Sequence, residues 1–380
     1  MKNIYRISKY MLFATVFSIL LISCSSDTET VEVIKEVEVV KEVPVEVVKE
    51  VEVVKEVPVE VVKEVTKSKG DLVIYSGRKE SLVGPIIDQF KSISGINVEV
   101  KYGTSTEIAA QLMLEGSKSP ADVFYAQDPG AVGSVIDMLQ QLSPESLENI
   151  PAWAKSDKGK WIGVSGRARV LVYNTDNVKA SDMPKTLNDL CDPKWKGRMG
   201  WAPTNSSFQT MVTAMRNIWG EDKTMDWVKC MMANDVKVYP KNTPQVEAAG
   251  KAEIDIGLVN HYYLYKFILD AGEGDKFKAR NLHLDSGGPG SLVMVSPIGI
   301  MSTAKNKDNA QQFVDFMISK VAQNYFVNST REYALIDGVK SGHPLITPLD
   351  DITKANISLS DLADIQGSAK LLQEAGALPK

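Results

Sequence analysis

Asp71-Leu-Val-Ile-Tyr-Ser-Gly-Arg-Lys-Glu80 decides how the folded part of this chain is read. Residues 72–75 are a short apolar strand, 76–78 a turn, and over 80–94 the apolar residues recur at helical spacing. The pattern then repeats. Residues 96–102 alternate as a second strand, 104–115 return to the helical period, and 121–125 form a third strand closed by Gln127-Asp128-Pro129-Gly130. Strands alternating with amphipathic helices predict a parallel α/β sheet. Ligands in such sheets sit at the carboxyl ends of strands, so the turns 76–80, 103–106 and 126–130 are expected to converge on one site.

Further along, residues 167–292 repeat the α/β texture, with strands expected near 170–173, 198–201 and 254–259. The chain then runs through Ser291-Leu-Val-Met-Val295 into Gly299-Ile-Met301. Two lobes joined by more than one extended crossing account for the lack of a single linker between them. The expected boundaries are about 70–166 with 293–343 for the first lobe and about 167–292 with 344–380 for the second. A hinged cleft follows, able to close around a ligand by rotation at the crossing strands.

Toward the amino end, residues 31–65 repeat a Val-Glu-Val-Val-Lys-Glu-Val unit, with Pro44 and Pro58 setting the period. Closely spaced valines and recurring prolines oppose a continuous helix and favour an extended or β-like stalk. Self-association of stalks into a bundle is an open alternative. Residues 66–70 read as a linker. Before the stalk, Lys2, Arg6 and Lys9 precede an apolar run over 11–22 and then Ser23-Cys24, the order of a secretory signal. That run is too short for an ordinary spanning helix, which needs roughly 20 apolar residues. Leu21-Ile-Ser-Cys24 resembles the lipobox of bacterial lipoproteins, which implies cleavage after residue 23, lipid on Cys24, and a stalk and linker over 24–69.

The stalk holds ten Glu and five Lys, and the whole chain also carries a net charge of −5, so the remainder is balanced. No basic surface for nucleic acid is implied, and charge recognition must be local. Of the three cysteines, Cys191 and Cys230 lie in the folded part; one bridge or two free thiols are equally open. Gly-x-Ser-x-Gly and His-Glu-x-x-His are absent, so nothing suggests an enzyme.

Several segments, in register, resemble the ferric ion-binding proteins of bacterial iron ABC importers, a branch of the type II periplasmic binding proteins. They are Val73-Ile-Tyr-Ser-Gly-Arg78, Gly116-Ser-Lys-Ser-Pro-Ala-Asp-Val-Phe-Tyr125, Ser165-Gly-Arg-Ala-Arg-Val170, Pro193-Lys-Trp-Lys-Gly-Arg198, Pro203-Thr-Asn-Ser-Ser-Phe208 and Asn260-His-Tyr-Tyr263. The resemblance implies a two-lobed type II periplasmic-binding-protein fold with a central cleft, a monomeric binding domain over 70–380, and a membrane permease as partner.

In that family an adjacent tyrosine pair supplies phenolates to iron, which here falls on Tyr262 and Tyr263. Phenolate oxygen suits a small, hard, highly charged cation, and such an ion can deprotonate a phenol that otherwise titrates near ~10. The family completes the coordination with carbonate or another small anion. Asn205, Ser206 and Ser207 open a helix whose first amides suit that anion, and Asn242 and Asn260 align with asparagines of the same pocket. Some relatives carry His near the first turn and Glu after the Phe-Tyr strand, where this chain has Arg78 and Gln127. Arg78 would pair with the anion or orient a phenolate, and Gln127 offers a neutral carbonyl to the cleft. A third tyrosine of some relatives is replaced by Asn205. Tyr75 and Tyr102 are possible additional phenolates. Arg167 and Arg169 are read as facing opposite ways, with Arg167 toward the cleft, and His261 as a structural neighbour. The alternative reading keeps the fold and changes the solute to a polyamine, thiamine, a phosphonate or another organic anion.

Overall fold

The protein is described by a computed structural model over residues 71–284, 287–341 and 343–379. The expected signal peptide, Cys24 and the stalk lie outside the described residues.

The strands, in chain order, are β1 (Asp71–Ser76), β2 (Asn97–Tyr102), β3 (Val123–Tyr125), β4 (Ile162–Asn174), β5 (Met199–Trp201), β6 (Lys237–Val238), β7 (Ile256–Asn260), β8 (Ala279–Leu282) and β9 (Val293–Ile300). They form one sheet in the order β2-β1-β3-β9-β4-β7-β5-β6, with β8 also paired to β4. The alternation of strand and helix predicts parallel pairing, and β1 does run parallel to β2 and β3, as β5 does to β6 and β7. The sheet as a whole is mixed. β9 runs antiparallel to β3 and β4, and β4 antiparallel to β7 and β8, because the two long strands that join the halves cross in opposite directions.

β4 belongs to both halves. Its first part pairs with β9 from Ile162 to Ala168, and its second part pairs with β7 from Arg169 to Tyr173. Tyr173 alone of its 13 residues is not buried. The register with β9 shifts between Gly163 and Ser165, a bulge that bends the strand where it passes between the halves.

The helices are α1 (Glu80–Ser94), α2 (Ser105–Glu115), α3 (Pro129–Gly133), α4 (Pro144–Glu148), α5 (Ser206–Trp219), α6 (Glu221–Ala233), α7 (Asn242–Gly250), α8 (Lys307–Met317), α9 (Lys320–Tyr325) and α10 (Ile365–Glu374). Their ends follow local chemistry. α1 stops at Gly95, whose φ of 72° suits glycine. α2 starts in a capping box: Thr104 Oγ1 accepts from Glu107 N at 3.2 Å and Glu107 Oε2 accepts from Thr104 N at 2.9 Å. α10 packs back on α5, where Thr213 and Ser368 hydroxyls meet at 2.8 Å and Arg216 pairs with Asp364 at 2.9 Å. Cys191 and Cys230 form a disulfide, with Cα atoms 5.5 Å apart, tying α6 to the segment before β5.

Candidate metal and anion site

The three turns after β1, β2 and β3 meet as the sequence predicts. Gly77 N donates to Tyr125 O at 2.8 Å, Gly103 N to Ser76 O at 3.0 Å, and Gln127 N to Ser105 Oγ at 2.7 Å. A Cβ on Gly77 would lie 2.1 Å from Ser105 Oγ, so only glycine lets the first turn come this close. The junction presents Arg78 and Gln127 to the opposite half of the sheet. Arg78 Nη1 donates to Gln127 Oε1 at 3.0 Å, and Gln127 Nε2 to the Tyr262 hydroxyl at 3.4 Å.

From that other half, β7 ends at Asn260 and turns at once through His261, Tyr262 and Tyr263. His261 anchors this turn: its Nδ1 accepts from Ala168 N at 3.2 Å, and its Nε2 donates to Arg331 O at 2.9 Å. Its ring stacks on Tyr333 with centroids 4.3 Å apart and planes 10° from parallel. Burial pulls His261 down to about 3, so it is neutral. It therefore serves as the structural neighbour the sequence suggests, holding the two tyrosines that follow. Their rings lie 4.3 Å apart at 30°, and Tyr262 and Tyr263 are buried. Burial, and then the neighbouring Tyr262, hold the Tyr263 phenol well above its ordinary value.

Arginines dominate the electrostatics. Arg78, Arg167 and Arg169 are all buried, and each lies within electrostatic reach of Tyr262 or Tyr263. The expectation that Arg167 and Arg169 face opposite ways is corrected: two residues apart on a strand they share a face, and both reach the tyrosines. Arg167 Nη1 donates to Ser296 Oγ at 2.6 Å, while Arg169 Nη1 donates to Asn260 Oδ1 at 3.0 Å. Burial works against both charges. Arg78 differs because Glu332 pairs with it: burial pulls down, but the Glu332 carboxylate overrides it and holds the guanidinium charged. Arg78 Nη2 donates to Glu332 Oε1 at 2.6 Å, and Glu332 Oε2 accepts from Ser165 Oγ at 2.7 Å. Arg78 is thus committed on one edge to a protein carboxylate and reaches Tyr262 through Gln127, while its Nε is buried without a partner.

The anion candidates divide. Asn205 caps α5 by accepting from Phe208 N at 3.3 Å, and Ser206 is its first residue. Ser207 is buried and its hydroxyl accepts from Asn260 Nδ2 at 3.4 Å, linking the helix start to Arg169 through Asn260. Asn242, the first residue of α7, is 1 % exposed, yet neither its amide nitrogen nor its oxygen has a partner. Arg167 Nε and Arg169 Nε and Nη2 are likewise buried and unpartnered. Buried polar groups are rarely left unpaired, and the two arginines lie within electrostatic reach of the tyrosine pair, which fits a ligand rich in oxygen. Tyr75 donates to Glu115 Oε1 at 3.1 Å, and burial followed by Glu80 raises the Tyr102 phenol. Glu332, Arg169 and Tyr125 were not signalled by the sequence as site residues. The Tyr125 side chain is buried and lies within electrostatic reach of Arg78. Among the described residues, no three His, Cys, Asp or Glu side chains converge as metal ligands, so a metal held here would depend on phenolate oxygens.

Residues 118–355 match the model of the family described as bacterial extracellular solute-binding protein. This chain belongs to that family. The solute-binding protein is 31% identical over 320 residues to the major ferric iron-binding protein of Neisseria meningitidis serogroup B, covering 82% of this chain and 94% of that one. It is 31% identical to the Fe(3+)-binding periplasmic protein of Serratia marcescens, covering 81% and 90%. The crystal structure of iron-bound HitA from Pseudomonas aeruginosa superposes with a TM-score of 0.76 at 30% identity, over 80% of this chain and 99% of that one. The type II periplasmic-binding-protein fold is therefore established for this chain, and the resemblance read from the sequence motifs is upheld.

Proposed function

We propose that this solute-binding protein carries ferric iron for an ABC importer, holding the ion between Tyr262 and Tyr263 with a small anion such as carbonate. The observation that carries the reading is the buried tyrosine pair, 4.3 Å between centroids, with Arg167 and Arg169 in electrostatic reach and one edge of each guanidinium unpartnered. Two phenolates supply hard oxygen and negative charge to the metal. The anion fills the remaining positions and bonds to Arg167, Arg169 and Asn242. Ser207 and Asn260 hold that wall, and Gln127 bridges Arg78 to Tyr262 from the other side. Similarity to two relatives named for ferric binding supports the same solute.

The two halves of the sheet act as lobes, and the bulged β4 with β9 provides the hinge. Lipid on Cys24 tethers the chain to the membrane through the Val/Glu/Lys stalk, so that the folded part works outside the cytoplasm beside its permease. A polyamine, an alternative on sequence alone, is disfavoured by three buried arginines, which repel a polycation.

The test is a visible absorption spectrum of the purified chain titrated with ferric nitrilotriacetate in bicarbonate buffer, beside Tyr262→Phe and Tyr263→Phe. A phenolate-to-iron charge-transfer band, weakened in either variant and absent from the double variant, is expected. A wild-type chain that shows no band and retains no iron after desalting sinks the ferric assignment and leaves the organic anions.

A further inference from the structure

A cavity of about 330 Å³ lies beside the hinge strand and shares no residue with the tyrosine site. The run 333–341 forms one wall, and 348–350 with Lys354 forms another. Leu335, Ile336, Val339 and Leu349 make the lining largely apolar, and Trp153 adds a half-buried indole. Sites for small molecules measure roughly 300–1,000 Å³, so this one suits a compact, planar ligand.

Charge around the cavity is uneven. Asp337 and Asp350 both act on Lys340, which pairs with Asp350 at 2.8 Å and so links the two walls. Lys354 lies within electrostatic reach of Asp350 but, among the described residues, has no carboxylate at ion-pair distance. Its ammonium sits 5.5 Å from the centre of the Trp153 ring and donates to Leu349 O at 3.4 Å. An ammonium carries three donors, so Lys354 keeps capacity for an anionic oxygen beside an aromatic face. Tyr333, also in the lining, has a buried hydroxyl without a partner.

Two residues of the lining rest on the hinge. Tyr333 and Gly166 of β4 exchange both backbone hydrogen bonds at 2.8 Å, and the Tyr333 ring is the one stacked on His261, immediately before the tyrosine pair. A Cβ on Gly166 would lie 3.2 Å from Leu335 Cδ2 and from Tyr333 Cβ, and one on Gly163 would lie 2.7 Å from Leu335 Cδ1. These glycines flank the β4 bulge and let Tyr333 and Leu335 close on it. Whatever presses on that wall therefore bears on the hinge and on the turn that carries Tyr262.

We propose that this cavity binds a small aromatic carboxylate, its rings against Trp153 and Leu335 and its carboxylate on Lys354, and that its occupancy tightens ferric binding through the hinge. The ligand site stands apart from the ferric reading, and the coupling rests on that reading. The direction follows from the conformation in which the cavity is formed. There Gln127 of one half meets Tyr262 of the other at 3.4 Å, so a ligand that fits the cavity favours the state in which the halves touch. Linkage makes the effect mutual.

Calorimetry of sodium 1-naphthoate with the purified iron-free chain, beside Trp153→Ala and Lys354→Gln, tests the ligand site. Saturable binding is expected in the wild type and binding at least about tenfold weaker in each variant, with urea midpoints checking that both variants fold. The amine 1-naphthylmethylamine, the same rings bearing a cation, should bind more weakly than the acid. No naphthoate binding, binding by both variants equal to the wild type, or an amine that binds as well overturns the site. Naphthoate held by the arginines of the tyrosine site would give the second of these results. The coupling is read from the charge-transfer band titrated with ferric nitrilotriacetate, with and without saturating naphthoate. The ferric concentration at half-saturation should fall about fivefold or more in the wild type and stay unchanged in Lys354→Gln. An unchanged value in the wild type with naphthoate bound overturns the coupling. A chain that binds naphthoate but shows no band and retains no iron overturns the ferric reading and the coupling with it, and leaves the aromatic carboxylate site standing.

Discussion

Arg78 and Glu332 meet at 2.6 Å across 254 residues of sequence, both side chains fully buried. Glu332 also accepts from Ser165 on β4, so the pair ties the first turn of the folded part to a crossing strand. Removing one partner of a buried pair leaves the other charge unpaired, at about 3–5 kcal/mol. Glu332→Ala should therefore lower the unfolding free energy by that amount in urea titration. Replacing both, as Arg78→Met with Glu332→Leu, should recover most of the loss while still weakening iron retention, because Arg78 also positions Gln127 against Tyr262.

Ferric binding should release protons. The Tyr263 phenol is held above its ordinary value by burial and by Tyr262, so it is protonated at neutral pH before the metal arrives. Apparent affinity should then decline as pH falls. Calorimetry in two buffers of different ionisation enthalpy measures the release directly, and Tyr263→Phe should reduce it by about one proton per iron.

Much of this was legible in the sequence, and the part that was not has a physical reason. The turns at Arg78, Ser105 and Gln127 were expected to meet because β1, β2 and β3 announce themselves by local periodicity and share a direction. Tyr262 and Tyr263 stood out as a pair. Glu332 did not, since its role depends on a partner 254 residues away and its neighbours in sequence carry no periodic signal. The mixed sheet was missed for a related reason: whether a crossing strand runs parallel or antiparallel is decided by the return path of the chain, not by composition.

Acid should destabilise the fold through its histidines. Burial lowers His261 to about 3 and His283 to about 4 from an ordinary 6.5. Both folded values are depressed, so the unfolded chain binds protons more readily. Their contribution is complete above about 6.5 and is lost as pH falls toward 3. Urea midpoints for the wild type should drop between pH 7 and pH 4, and His283→Gln should drop less.

The Cys191–Cys230 bridge closes a loop with a sequence separation of 39. Loop-closure entropy assigns such a link about 4 kcal/mol. Cys191→Ser with Cys230→Ser should lose stability of that order by urea titration, while the charge-transfer band persists because neither residue lies at the tyrosine site.

The strand order carries a consequence for how the molecule is made. β3 ends at Tyr125, yet its neighbour in the sheet is β9, which begins at Val293. Until that later segment exists, the first three strands present an unpaired flank to their surroundings, the kind of edge on which chains aggregate. Pairings this distant also close slowly. The sheet cannot be assembled progressively from its amino end, and the nascent chain needs either a chaperone on that flank or a delay in folding until about four-fifths of its length has emerged.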